Sequence, residues 1–286
     1  MSPKVWLITG CSSGFGGLLV RAALKNGDKV VATARDPKKI DDLKALGAAT
    51  LALDVCDTEE NIRKAVADAN AAYGRIDILV NNAAYILEGT VEESSASEVF
   101  KIYNTNVFGS LMVARAVLPY MRAQKSGTIA NMGSIGGVRG TQGAGLYCST
   151  KFAIAGITES LKSEVAHLGI DAVCIEPGYF RTNFLAPGHR TPTAARIADY
   201  DPVMEPIRNI FDTYDRAQPG DPERGAQLIV EILTKSGRVT GKEVPVRVPL
   251  GSDAIAFISA KAEETLQTMK EWKDLSSSTD HDDVKN

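Results

Sequence analysis

The chain has 286 residues, 44% hydrophobic and 23% charged, with a net charge of −3. This is an ordinary soluble composition with ample apolar side chain for one large core. Acids and bases are well mixed and only the tail, D-H-D-D, is locally acidic, so no basic stripe points to nucleic acid or anionic lipid.

The opening stretch M-S-P-K-V-W-L-I-T-G lacks a signal-peptide apolar region and reads as a first strand. Further strand-like runs follow at Lys29–Ala34, Ala49–Asp54, Ile76–Asn81, Gly127–Met132, Ile170–Glu176 and Glu243–Val248. Helical periods fall between them near 15–26, 37–46, 58–73, 95–121, 146–168 and 222–235. This alternation predicts an α/β fold, a single Rossmann-type doubly wound parallel sheet of about seven strands with helices on both faces. The domain spans 1–274, with a Pro/Gly-rich segment at 182–220 as a substrate lid and a helix at 252–273. The serine- and acid-rich end, 275–286, is expected to be a disordered tail. No run of 18 apolar residues suggests a membrane span, and D-D-V-K-N matches no address signal, so a cytoplasmic location is the expectation. Cys11, Cys56, Cys148 and Cys174 form no C-x-x-C, and His167, His189 and His281 stand alone. Free thiols in a reducing compartment, and no metal site, are the reading.

The first strand runs into T-G-C-S-S-G-F-G, Thr9 to Gly16, and then into a helix. Glycines at such a turn let backbone approach a phosphate while the helix start offers free N–H groups. The spacing is G-x-x-x-G-x-G rather than G-x-G-x-x-G, and a bare structural turn competes with a phosphate loop. At the end of the second strand, Arg35 would pair with a 2′-phosphate, favouring NADP(H) over NAD(H). Asp36 is the competing ribose ligand, although Asp36-Pro37 also looks like a helix cap. Asp54 suits either an adenine edge or the cap of the next helix, and Asn81-Asn82-Ala83-Ala84 suits backbone packed on a ligand or an ordinary turn.

Further on, Tyr147 and Lys151 stand four apart in Y-C-S-T-K, with Ser134 upstream. On a helix that spacing puts both on one face, where an ammonium would lower a phenol pKa toward the range useful for proton transfer. With 8 Tyr in the chain, Y-x-x-x-K is expected by chance about half a time. The pair alone is therefore weak.

Together these residues resemble the short-chain dehydrogenase/reductase family, over roughly residues 4–250. The resemblance rests on the glycine loop, Asp54, the N-N-A-A run, Asn106, Ser134, Tyr147 to Lys151 and the P-G-Y-F-R-T run from Pro177, in family order. It implies Asn106, Ser134, Tyr147 and Lys151 as the catalytic set: Tyr147 the acid/base, Ser134 on the substrate oxygen, Lys151 on the nicotinamide ribose. Asn106 would bend its helix and hold a water that links Lys151 to solvent. It implies a cofactor site of Gly10, Ser12, Ser13, Gly14, Phe15, Gly16, Arg35, Asp54, Val55, Asn82 and Ala83, with Tyr147 and Lys151 shared. Pro177, Gly178, Phe180 and Thr182 would line the nicotinamide side. Two departures are Ala84, where the family usually has glycine, and Gly133, where it commonly has serine.

The implied activity is carbonyl–alcohol interconversion on a small to medium apolar substrate, with NADP preferred over NAD. A non-redox isomerase or cyclase, or a non-catalytic NADP-binding regulator, is the alternative on the same fold. Phe184, Leu185, Tyr200, Met204, Ile207, Ile210 and Phe211 are the apolar lid members, and the last three also suit a core-facing stripe. Relatives often pair through the two long helices, which leaves a homo-oligomer open.

Overall fold

The computed structural model describes residues 2–186, 190–281 and 283–284. Pro187, Gly188 and His189 of the expected lid, and Asp282, Lys285 and Asn286 of the expected tail, lie outside the described residues. In chain order come β1 (Val5–Ile8), α1 (Gly14–Lys25), β2 (Lys29–Ala34), α2 (Asp41–Ala45), β3 (Ala49–Ala52), α3 (Glu59–Tyr73) and β4 (Ile78–Asn81). Then follow β5 (Ile86–Glu88), α4 (Ala96–Tyr103), α5 (Ser110–Gln124), β6 (Gly127–Met132), α6 (Gly145–Val165) and β7 (Ile170–Pro177). The chain ends with β8 (Arg190–Pro192), α7 (Asp201–Tyr214), α8 (Pro222–Thr234), β9 (Arg247–Leu250) and α9 (Ser252–Ser277).

Seven strands form one parallel sheet in the order β3-β2-β1-β4-β6-β7-β9, while β5 and β8 make a separate parallel pair. Alternation along β1 decides which face each residue serves. Trp6 and Ile8 pack with Leu19, Val20, Ile229 and Val230 of α1 and α8, whereas Leu7 packs with Ile62, Val66, Val113 and Val117 of α3 and α5. With both faces covered, the strands are mostly apolar, as a buried parallel sheet requires, with Thr33, Asn81, Asn131 and Glu176 as buried polar exceptions. The strand order reverses between β1 and β4, so a crevice opens at their carboxyl ends. The glycine loop, the N-N-A-A run, Ser134 and the P-G-Y-F-R-T run all leave from that edge.

Three elements differ from expectation. The helix expected at 95–121 is divided: α4 starts at a Ser95–Glu98 capping box, a π turn occupies Asn104–Gly109, and α5 runs on to Gln124. The wide turn swings Asn106 inward to meet Tyr85. The last strand begins at Arg247 rather than Glu243, after Pro245, and its own Pro249 is accommodated because β9 is an edge strand. The terminal helix extends to Ser277, and past Lys261 every described residue is exposed, Leu266, Met269, Trp272 and Leu275 included.

The 182–220 segment is not bare loop: β8 and α7 are fastened to residues 86–98 by charge. Arg190 and Arg208 both pair with Glu88, at 2.8 and 3.2 Å, and Arg190 also reaches Asp212. Glu93 accepts the Ile197 N–H at 3.0 Å, and Glu98 accepts the Ala194 N–H at 2.8 Å. The Glu88 and Arg190 side chains are only 7% and 8% exposed. Removing one partner of a buried pair typically costs about 3–5 kcal/mol. Glu88→Ala is therefore expected to lower Tm and to speed amide exchange across 190–214. Unchanged protection there would mean that Met204 and Phe211, both buried, hold the segment unaided.

Candidate active site

β1 delivers Thr9 to the crevice, and the next residues turn sharply. Gly10 and Gly14 have φ of +69° and +59°. A Cβ on Gly10 would lie 2.8 Å from Ala83 Cα, and one on Gly16 would lie 2.4 Å from the Gly10 carbonyl oxygen. Only glycine fits either place. The Asn82 amide donates to the Thr9 and Gly10 carbonyls at 2.9 and 3.1 Å, and the Thr9 hydroxyl accepts the N–H groups of Asn82 and Ala83. Asn82 and Ala83 thus brace the loop from β4.

At the start of α1, Ser13 makes no side-chain cap, and a Cβ on Gly14 would meet nothing within 4 Å. The first N–H groups of α1 are left unspent beside open space, at the positive end of the helix dipole. They border a cavity of ≈ 270 Å³ lined also by Ser12, Arg21, Lys39, Arg181 and Thr182. Unpaired amides, positive charge and an uncrowded glycine fit the pyrophosphate of a dinucleotide. Phe15 turns the other way, its ring edge-on to Phe180 with centroids 5.0 Å apart.

The adenosine-side candidates are divided. Arg35 is exposed at the end of β2. Asp36 accepts the Lys38 N–H at 3.1 Å with Pro37 in the first helical position, so one of its oxygens caps a turn. Asp54 is exposed and accepts the Cys56 N–H at 2.9 Å; Thr58, not Asp54, caps α3. Val55 is buried, and its carbonyl lies 2.7 Å from where a Cβ on Gly109 would be.

Tyr147, Ser134, Lys151 and Asn106 come together from α6, the end of β6 and the π turn. Ser134 accepts the Gly136 N–H at 3.0 Å, and its hydroxyl neighbours the Tyr147 phenol. Asn106 accepts the Tyr85 N–H at 3.1 Å, and its amide donates to the Tyr85 carbonyl at 2.9 Å and to Thr150 at 3.2 Å. This ties the π turn to α6, one residue before Lys151.

The electrostatics correct one expectation. Lys151 does not turn its ammonium to the phenol oxygen: Nζ donates to the Met132 carbonyl at 2.7 Å and lies 5.6 Å from the centre of the Tyr147 ring. Burial pushes the Tyr147 phenol above its ordinary value; the nearby Ser134 hydroxyl opposes this, and Cys148 and Tyr179 reinforce it. Burial also brings the Lys151 ammonium down to about 8. Desolvation thus sets the direction of the shift for both groups.

A pH dependence follows from Lys151. The unfolded chain keeps its lysine proton up to 10.5 while the fold loses it near 8, so this lysine makes wild-type stability rise with pH between those values. Lys151→Met lacks that term. The Tm difference, variant minus wild type, is expected to fall as pH rises from 8 toward 10 in melts run with both proteins. A flat difference would mean that the buried lysine is not strained in its charged form.

At the end of β7, Pro177 leads to Gly178, whose N–H donates to the Leu250 carbonyl at 2.9 Å. A Cβ there would lie 2.3 Å from an Asp253 carboxylate oxygen. Phe180 has its ring in the core, against Phe15 and the backbone of Gly220, so its side chain is structural. Thr182 lies on the cavity wall, where its hydroxyl accepts the Phe184 N–H at 3.3 Å.

Over Tyr147 sits an aromatic wall. The Phe184 ring is 5.6 Å away, and Tyr179 packs edge-on to Tyr214 of α7 at 5.2 Å. Leu185, Met204 and Phe211 are buried and Ile207 half-buried. Ile210 is 56% exposed and belongs to neither core nor pocket, and Tyr200 donates its hydroxyl to Glu92 at 2.5 Å. Met204 and Ile207 approach Gly143, each 3.1 Å from where its Cβ would be, so α7 covers the approach to α6.

Sequence reasoning did not assign Arg21, Lys39 or Arg181 to the cleft, nor Tyr179 to the surroundings of Tyr147. A signal existed for three of them. Lys39 follows the Asp36-Pro37 cap, and Tyr179 and Arg181 stand inside the P-G-Y-F-R-T run.

The family model for short chain dehydrogenases matches residues 4–192. Oxidoreductase BOA17 of Botryotinia fuckeliana is 33% identical over 277 residues, covering 96% of this chain and 98% of that protein. A short-chain dehydrogenase from Streptomyces avermitilis superimposes with a TM-score of 0.88 at 37% identity, over 98% of this chain and 99% of that one. Two solved structures at 25% identity and a TM-score of 0.72 hold cofactors. A Brucella melitensis 3-ketoacyl-(acyl-carrier-protein) reductase, matched over 88% of this chain and 98% of its own, is complexed with NADH. ElxO, matched over 89% and 99%, has NADP bound.

The chain belongs to the short-chain dehydrogenase/reductase family. It is an oxidoreductase of the nicotinamide-dependent kind, built on the family's seven-stranded sheet. Among the described residues, no helix is long and apolar enough to cross a membrane.

Proposed function

We propose that this protein is an NADP(H)-dependent reductase that interconverts a carbonyl and an alcohol on a small to medium apolar substrate, with Tyr147 as general acid/base. The observation that carries the reading is the buried Tyr147 phenol, set beside Ser134, Phe184 and Tyr179. Gly10 to Gly16, braced by Asn82 and Ala83, would hold the pyrophosphate; Arg35 would hold the 2′-phosphate. Lys151 would bind the nicotinamide ribose, and Asp54, Val55, Pro177, Gly178 and Thr182 would complete the site. When bound, the cofactor supplies or accepts the hydride.

The chain's own residues handle the proton. Ser134 and Tyr147 would hydrogen bond the substrate oxygen, stabilising negative charge as it develops there. Tyr147 would give that oxygen its proton in reduction and take it back in oxidation. A phenol held above its usual pKa by burial is a poor acid that parts with its proton reluctantly, so positive charge near it would be needed for proton transfer. Lys151, buried on the same helix face, is the group placed to supply it. Asn106 would steady it through Thr150.

The aromatic wall suits an apolar, flat carbonyl compound. Consumption of NADPH across a panel of ketones, quinones and steroids, repeated with NADH, tests the reading. Stoichiometric oxidation of NADPH with formation of alcohol supports it. Substrate conversion without net cofactor oxidation would point to the non-redox alternative.

A further inference from the structure

Five buried side-chain atoms among the described residues have no hydrogen-bond partner, and two of them are the amide nitrogen and oxygen of Gln218. The other three each belong to a different residue. Asn81 donates its amide to Asn131 and the Ser110 carbonyl, and Arg190 is held by two carboxylates. Asp215, in the turn just before Gln218, has one unpaired oxygen. Gln218 alone has all its side-chain polar atoms unpaired, and it is 1% exposed.

Its backbone is well fixed. The Gln218 carbonyl accepts from Arg181 Nε at 2.6 Å. Gly220, two residues on, donates to the Tyr179 carbonyl and accepts the Arg181 N–H, both at 3.0 Å. Arg216 donates to Asn183 at 2.6 Å. Residues 216–220 therefore lie along Tyr179–Asn183, and Arg181, Thr182 and Asn183 line the cleft that begins at the glycine loop.

A buried amide without partners is expensive, each unsatisfied donor or acceptor costing about 1–3 kcal/mol. Methionine would fill a similar volume at no such cost. A glutamine held there is explained if its partner arrives with a ligand. The segment it lies along is the one read above as the nicotinamide side of the cofactor site. A nicotinamide carries a carboxamide, with a donor and an acceptor that match those of a glutamine amide.

We propose that Gln218 is a cofactor-binding residue, its amide forming its hydrogen bonds only when the nicotinamide end of the cofactor is bound beside Tyr179–Thr182. This rests on the nicotinamide-dependent reading of the site.

The test compares wild type, Gln218→Met and Gln218→Glu without substrate, by calorimetric titration with NADPH and by thermal melts with and without it. Gln218→Met is expected to melt at or above the wild-type temperature without cofactor. Its NADPH affinity is expected to fall about tenfold, equivalent to about 1.4 kcal/mol, with a smaller thermal shift on binding. Gln218→Glu keeps the shape and one acceptor but loses the donor, and should also bind NADPH more weakly. An unchanged NADPH affinity in Gln218→Met would overturn the role. So would a cofactor-free Tm that falls as far as the cofactor-bound one, the mark of a structural amide satisfied by water. A raised KM for substrate with unchanged cofactor affinity would assign the residue to substrate, and also overturn it. Absence of NADPH or NADH binding by the wild type would overturn the cofactor reading as well, which separates the two failures.

Discussion

Tyr147→Phe is expected to lower turnover about 10²–10⁴-fold, the usual worth of a positioned general acid/base. NADPH affinity should stay close to wild type. The substitution removes one oxygen and keeps the ring that packs 5.6 Å from Phe184, so the aromatic wall has no reason to collapse. Stability of the cofactor-free protein should hold as well, because the neighbouring Ser134 hydroxyl retains its bond from Gly136. The measurement is single-turnover reduction with an accepted carbonyl substrate, beside a binding titration with NADPH. Near-normal rates would remove Tyr147 from the proton-transfer role. Weakened NADPH binding with an equal loss of rate would make it a binding residue instead.

Arg35→Ala is expected to weaken NADPH about 10- to 100-fold while changing NADH about twofold or less, since a hydrogen bond to a charged group is worth about 1.5–3 kcal/mol. The guanidinium is exposed, so the effect should shrink as salt rises. Asp36, the competing group, spends one oxygen on the turn at Lys38. Lys39 and Arg21 border the same cleft, and Arg21 pairs with Asp42 across its wall. Any NADPH preference that remains in Arg35→Ala would measure what Lys39 and Arg21 contribute. Equal weakening of NADPH and NADH would shift the assignment to Asp36.

Much of the fold was legible because its determinants are local. Trp6, Leu7 and Ile8 alternate between two cores simply because a strand has a period of two. Gly10 and Gly16 announced a tight turn, and the structure shows why no other residue fits. Tyr147 and Lys151 share a helix face as their spacing requires. The single helix expected at 95–121 was misread because the π turn depends on Asn106 reaching the backbone of Tyr85, 21 residues away. The fastening of 190–214 was illegible for the same reason, since Glu88 and Arg190 are 102 residues apart.

The sequence by itself determined the sheet, the glycine turn and the chemical identity of the candidate set, because these follow from periodicity and from groups a few residues apart. The tertiary structure alone decided that Tyr147 stands above its ordinary pKa, that Lys151 faces the Met132 carbonyl, and that Gln218 is sealed in without a partner. Each of those depends on how much water the packed chain excludes and on which distant backbone group arrives nearby. Burial and long-range approach are properties of the whole fold, and no short stretch of residues carries them.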